Sequence, residues 1–72
     1  MNRPNNMKEY KELANKLRKA RQELSLTQLQ VAKKLRRSQS YISKVESGEQ
    51  KVDAIELKVL ASVYDKNLSY FL

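Results

Sequence analysis

The sequence predicts an all-α fold of five helices, and three features support this prediction. Glycine and proline, the residues that most often interrupt helices, occur only once each in 72 residues. Apolar residues recur at three- and four-residue steps, which is the spacing of one helix face. Polar residues that can cap a helix stand directly before the apolar stretches. We therefore expect one compact domain over residues 1–72.

The first helix is predicted from Met7 to Leu24, after a polar start (residues 1–6) that is expected to fray. Asn6 can cap this helix, with Glu9 at the capping-box position. Its apolar face consists of Tyr10, Leu13, Ala14, Leu17, Ala20 and Leu24. Its exposed side carries Lys8, Lys11, Lys16, Arg18 and Lys19. A basic amphipathic helix can lie on a membrane, but this one lacks the bulky apolar residues that strong insertion needs.

Two short helices with a tight corner between them are predicted next. Thr27 can cap the first, and Gln30 completes a capping box. Ser38 can cap the second, and Gly48 follows it where a helix end favours a left-handed residue. The expected buried residues are Val31, Ala32, Leu35, Ile42 and Val45, with Tyr41 at the edge. Because the corner leaves room only for a sharp turn, residues 27–47 predict a helix-turn-helix.

The end of the chain predicts one more helix and a final short turn. Asp53 and Glu56 form a possible capping box for a fourth helix from Ala54 to Tyr64. The residues expected to be buried there are Leu57, Leu60, Ala61 and Tyr64. Asn67 can cap the last turn, residues 68–72, which completes the five helices.

Charge is distributed unevenly along the chain. Residues 1–44 carry twelve Lys and Arg against three acidic residues, a charge of +9, and residues 45–72 carry three against five, a charge of −2, which sum to the total of +7. A basic half indicates a surface for a polyanion, although a soluble protein with a lopsided surface would look the same.

The residue types present exclude several kinds of site. The chain has no cysteine and no histidine, so it offers no disulfide, no ordinary zinc site, no thiol nucleophile and no imidazole base. It also has no glycine-rich phosphate loop, so we expect no enzymatic activity, no metal and no cofactor. No apolar run approaches the about 20 residues of a membrane span. A cytoplasmic location without membrane contact is the expectation.

Two stretches of the helix-turn-helix carry a family resemblance. Thr-Gln-x-x-Val-Ala begins at Thr27, and Gln-Ser-Tyr-Ile-Ser-Lys-Val-Glu-Ser-Gly begins at Gln39. They closely resemble the Xre/Cro-like helix-turn-helix family of bacterial and phage transcriptional regulators, and the similarity extends over residues 17–72. The resemblance implies a phage-repressor-like DNA-binding domain. The family usually has glycine at the corner, where this chain has Arg36, and a left-handed residue other than glycine costs about 1 kcal/mol.

The start of the second motif helix is the part that would read DNA. In a helix-turn-helix these residues enter the major groove. Here they are Ser38, Gln39 and Ser40, followed one turn later by Ser43 and Lys44. Glutamine can bond an adenine edge, lysine can donate to guanine, and serine suits either. The resemblance implies that Gln39, Ser40 and Lys44 read bases, whereas Ser43 can equally contact a phosphate.

A second group of residues is expected to hold the phosphate backbone. The resemblance implies that Gln28 binds a phosphate and supports Gln39. It also implies that Ser47 and Lys51, around the turn after the second motif helix (the recognition helix), contact the phosphate backbone of DNA. Ser38 can cap its helix and contact a phosphate as well. Arg36 and Arg37, in the corner, are candidates on charge alone.

Two structural pairings are also expected. Arg21 lies among the inward positions of the first helix, and the resemblance implies that it pairs with Glu46; breaking such a buried pair costs about 3–5 kcal/mol.

A single domain reads few base pairs, so the family's solution is a homodimer on a palindromic site. The proposed dimer surface is Tyr70, Phe71 and Leu72, because they exceed what one small core can bury. Alternatively, Phe71 and Leu72 close the core.

The leading functional hypothesis is a sequence-specific regulator that binds double-stranded DNA, with repression favoured because 72 residues leave little room for an effector domain. A controller-type activator and a DNA-binding antitoxin are alternatives of the same class. A protein-interaction module that has lost DNA binding is an alternative of a different class. RNA is a poorer partner, because the deep major groove of an A-form helix is too narrow for a helix to enter.

Overall fold

A computed structural model describes residues 4–72, with side chains from Lys8 onward. Its elements are α1 (Pro4–Glu23), α2 (Gln28–Leu35), α3 (Gln39–Ser47), α4 (Ala54–Val63) and a 3-10 helix (Leu68–Tyr70). The all-α prediction is confirmed, with a single 3-10 turn in place of a fifth α-helix. Helix α1 begins three residues before the expected start, so Asn6 lies inside it and not at its cap. Residues 1–3, part of the segment expected to fray, lie outside the described residues.

The core forms where one face of each α-helix meets the others. It comprises Leu17, Ala20, Val31, Ala32, Ile42, Val45, Leu57, Leu60, Ala61, Tyr64 and Phe71. Tyr64, with 2 % of its surface exposed, is the largest side chain in it. Leu24, expected in the core, is 46 % exposed because α1 ends at Glu23 and Leu24 already belongs to the turn. Leu17 and Ala20 are buried as the helical spacing predicts, whereas Tyr10, Leu13 and Leu35 are only half-buried.

Side-chain caps begin three of the helices. Thr27 and Gln30 form the complete capping box that was predicted: the Gln30 N–H donates to Thr27 Oγ1 (3.0 Å), and the Thr27 N–H donates to Gln30 Oε1 (2.8 Å). Ser38 Oγ accepts the Tyr41 N–H at 3.1 Å. Asp53 caps α4 alone, because the Glu56 carboxylate points to α3 and not back to the cap.

The four α-helices of residues 4–72 end in the same way, with a left-handed residue followed by a 6→1 backbone hydrogen bond. The left-handed residues are Ser25, Arg36, Gly48 and Asp65, with φ of 57°, 58°, 86° and 57°. The 6→1 bonds run from the N–H of Leu26, Arg37, Glu49 and Lys66 to the carbonyl of Arg21, Ala32, Lys44 and Ala61, respectively. This Schellman motif satisfies helix carbonyls that would otherwise lack donors. Arg36 therefore occupies the left-handed corner where the family usually has glycine.

No helix in the described part of the chain combines the length and apolar character that crossing a membrane requires.

Candidate nucleic-acid interface

Helix α3 divides into a buried face and an exposed face. Ile42, Val45 and Glu46 are buried in the body of the protein. The exposed positions of α3 are Gln39, Ser40, Ser43, Lys44 and Ser47, and the preceding cap residue Ser38 is exposed with them. The four residues expected to read bases thus lie on one helix and point away from the core. The arrangement offers amide, hydroxyl and ammonium groups on a surface free to meet a ligand.

The buried carboxylate of Glu46 anchors α3 to the two preceding helices. Its side chain is 4 % exposed, and it accepts hydrogen bonds from Arg21 Nε (2.7 Å) and Arg21 Nη2 (2.9 Å). Arg21 Nη1 also donates to the Leu26 carbonyl at 2.8 Å. The hydrogen bond to Glu46 raises the pKa of Arg21 despite its partial burial, so the guanidinium remains charged. The pair holds the end of α3 against the end of α1.

Gln28 is placed differently from the expectation. Its side-chain amide donates to Glu46 Oε1 at 3.0 Å, so in this structure it supports the buried pair and its amide hydrogen bond goes to Glu46, not to Gln39. The physical reason is that burial removes water from the carboxylate of Glu46. Each hydrogen bond that the carboxylate accepts offsets part of this loss of solvation. Gln28 is partly exposed, at the start of α2.

A second polar cluster connects the helix-turn-helix to α4. Arg37 donates to Glu56 through Nη2 (3.1 Å) and Nε (3.3 Å), and its guanidinium lies 4.4 Å from the centre of the Tyr41 ring. The Tyr41 hydroxyl also donates to Glu56. Partial burial, together with this hydrogen bond, raises the pKa of Tyr41 to about 12. Sequence reasoning missed this cluster: it proposed Arg37 as a phosphate contact on charge alone, whereas here the guanidinium pairs with Glu56.

The remaining candidates surround the two ends of α3. Arg36 is exposed at the corner before it. Ser47 Oγ donates to the Lys44 carbonyl at 3.0 Å, which leaves its oxygen able to accept a further bond. Lys51 is exposed in the loop after α3, with Nζ 5.5 Å from the centre of the Tyr10 ring. It borders a groove that also contains Glu9 and Glu12, so carboxylates lie near this ammonium group.

The expected dimer surface is only partly available. Tyr70 and Leu72 are 36 % and 83 % exposed, but Phe71 is 4 % exposed and belongs to the core. The 3-10 turn directs Phe71 inward, and its ring meets Tyr70 edge-on at 4.9 Å. Phe71 therefore closes the core, as the alternative expected, and is not available for a dimer surface, whereas Leu72, which the alternative also placed in the core, is exposed.

Sequence reasoning also missed an apolar pair on α4. Ile55 and Val59 are 70 % and 43 % exposed. They lie four residues apart and so share one face of the helix. The sequence did indicate this pair, because two branched apolar residues stand outside the positions of α4 that were expected to be buried.

Among residues 4–72, no group of acidic side chains is arranged to hold a metal ion.

Comparisons with known proteins agree with this geometry. Residues 17–71 match the helix-turn-helix family, which covers more than half of the chain. A solved structure, the crystal structure of the DNA-binding domain of BldD, superposes with a TM-score of 0.82 at 26% sequence identity, over 92% of this chain and 96% of that one. No curated protein matches the sequence. The chain belongs to the Xre/Cro-like helix-turn-helix family of DNA-binding transcription regulators.

Proposed function

We propose that this protein represses transcription by binding a palindromic operator as a homodimer, with α3 of each copy in the major groove. The observation that carries the proposal is the exposed polar face of α3, held outward while the opposite face is anchored through Glu46. Gln39, Ser40 and Lys44 read base edges, and Ser43 reads a base or contacts a phosphate. These side chains are short or flexible enough to adapt to a groove without disturbing the core.

The phosphate contacts are assigned to residues around both ends of α3. Arg36 and Ser38 lie before it, Ser47 is its last residue, and Lys51 lies after it. Gln28 at the start of α2 contributes mainly through its backbone N–H, because its amide is bonded to Glu46. Arg37 makes the weakest contribution, because its charge is already balanced by Glu56. Contacts of this kind fix the position of the protein on DNA and carry no sequence information directly.

Homodimerisation follows from the small number of base pairs that one α3 can read. Two copies double the site, and two-fold symmetry in the protein then requires a palindrome in the DNA. Tyr70 and Leu72 are the proposed contact residues. A protein bound in this way represses by occluding a promoter. A controller-type activator or a DNA-binding antitoxin would use the same interface with DNA.

Selection of bound sites from a random duplex library tests the proposal most directly. We expect enrichment of one motif made of two inverted half-sites, with centres about 34 Å apart or a multiple of it, one turn of DNA. Enrichment without inverted symmetry would contradict the homodimer. No enrichment, together with binding that does not weaken as salt increases, would contradict DNA reading altogether. The exposed Ile55–Val59 pair would then favour a protein-interaction module.

A further inference from the structure

Helix α1 carries a basic stripe that the helix-turn-helix does not explain. The stripe consists of Lys8, Lys11, Asn15, Arg18 and Gln22, all exposed. At 3.6 residues per turn these positions fall within an arc of about 80° and extend about 15 Å from Lys8 to Arg18. The family match begins at residue 17, so the first three members precede it. The stripe is therefore largely a feature of this chain beyond the common motif.

The charges of α1 are segregated between two neighbouring faces. The residues one position later, Glu9, Glu12, Lys16, Lys19 and Glu23, form a face about 100° further round the helix. This mixed face contains all three acidic residues of α1, and Glu23 pairs with Lys66 at 2.9 Å. The basic stripe contains none. Within the basic stripe only Lys8 and Lys11 lie one turn apart, and their like charges repel each other slightly.

The stripe adjoins the end of the recognition helix. A methyl group added to Gly48, the residue that ends α3, would lie 3.4 Å from Lys11 Cγ and 3.8 Å from Lys11 Cα. Arg21, one turn beyond Arg18, contacts Glu46 in the last turn of α3. A Cβ at Gly48 would therefore be in van der Waals contact with Lys11, so helix α1 passes beside the end of α3. The basic stripe and the exposed face of α3 lie on adjoining surfaces.

We propose that the basic stripe binds the phosphodiester backbone of DNA outside the base pairs that α3 reads. Lys8, Lys11 and Arg18 supply the charge. Successive phosphates of one strand rise by about 3.4 Å, so a stripe of about 15 Å can reach more than one of them. This inference rests on the proposed function, because α3 must occupy the groove for α1 to meet the flanking backbone. It adds affinity without adding sequence preference.

A matched pair of double variants tests the inference. K8Q/K11Q removes two charges from the basic stripe, and K16Q/K19Q removes two from the mixed face of the same helix. Anisotropy of a labelled duplex with the selected site and long flanks gives affinity as a function of salt, and circular dichroism melting verifies that both variants fold. We expect K8Q/K11Q to reduce the slope of log K against log salt by about two, and to weaken binding about tenfold or more at 0.1 M salt. K16Q/K19Q should change the slope by less than half as much.

Duplex length and sequence give two further expected results. Removing the flanking base pairs should weaken the wild type and abolish the difference between wild type and K8Q/K11Q. A random-sequence duplex should show the same change in slope, because phosphate contacts carry no sequence information. Equal losses for the two double variants would overturn the basic stripe while leaving the proposed function intact. A wild type that binds no duplex in low salt would overturn the proposed function itself.

Discussion

Arg21 and Glu46 lie 25 residues apart in the chain and meet through two parallel hydrogen bonds, of 2.7 and 2.9 Å. The guanidinium comes from the last turn of α1 and the carboxylate from the last turn of α3. Two parallel bonds restrict both distance and orientation, which a point charge would not do. The pair therefore restricts how the last turn of α3 can lie against the last turn of α1.

Breaking this pair should destabilise the fold strongly. R21A leaves a buried carboxylate without its partner, and we expect the free energy of unfolding to fall by about 3–5 kcal/mol. R21K keeps the charge but loses the two-pronged geometry, so it should fall between R21A and wild type. Urea unfolding followed by circular dichroism measures each value. The control is E23A, which breaks the exposed pair with Lys66 and should have little effect. Equal effects of R21A and E23A would show that the buried pair is unimportant.

The corner of the helix-turn-helix contains strain that one substitution can remove. Arg36 has φ of 58°, a left-handed conformation in which a Cβ crowds the following carbonyl. We expect R36G to raise the free energy of unfolding by about 1 kcal/mol. R36A removes the charge but retains the Cβ, so it should leave stability close to that of wild type. If R36G and R36A are equally stable, the corner is unstrained. Thermal unfolding of the three proteins decides between these results.

Local patterns explain which parts of the structure the sequence could predict. Thr27 with Gln30 and Ser38 before Tyr41 are caps made within three residues, so spacing alone identifies them. The Arg37–Tyr41–Glu56 cluster depends on how α4 packs beside the corner, which no local pattern reports. For the same reason the capping box expected at Asp53 is a single cap.

At the end of the chain and at the start of α2, too, the position of a side chain depends on packing that the local sequence pattern does not show. Phe71 and Leu72 are neighbours with similar apolar character, yet only the direction of the 3-10 turn decides that Phe71 is buried and Leu72 is exposed. Gln28 has a good partner in Gln39 by family resemblance, but the packed structure brings it to a buried carboxylate. Helical spacing predicts faces, and the contacts between faces follow from packing.

Stability at high pH should reveal the polar cluster around Tyr41. Its pKa is raised from 10.0 to about 12, first by partial burial and then by the hydrogen bond to Glu56. A group that holds its proton more tightly in the folded state stabilises the fold fully below pH 10.0, and that contribution is lost as the pH rises through about 12. Ultraviolet titration of the tyrosinate band should show a late-ionising residue that Y41F lacks. Ionisation of Tyr41 near its ordinary pKa would contradict the cluster.

Two variants can distinguish a dimer contact at Leu72 from one at the exposed apolar pair on α4, Ile55 and Val59. Leu72 is 83 % exposed. In a symmetric homodimer contact each copy contributes the same residue, so an aspartate at this position would place two negative charges in one interface. We expect L72D to shift the protein towards monomer in sedimentation equilibrium and to weaken binding to the full palindrome more than binding to a half-site. The matched variant is I55D, at a position 70 % exposed, which should leave the dimer intact. The reverse result would move the dimer contact to α4.

Base reading and phosphate binding should respond differently to substitution. Gln39 is exposed at the first position of α3, so Q39A removes its amide without disturbing the core. We expect Q39A to cost about 1–3 kcal/mol on the preferred duplex and to relax the preference at one base pair. K51A should weaken binding to all duplexes alike and reduce the salt slope by about one. K58A, an exposed lysine of α4, is the control and should leave sequence preference unchanged. Equal losses for Q39A on preferred and random duplexes would remove Gln39 from the base-reading residues.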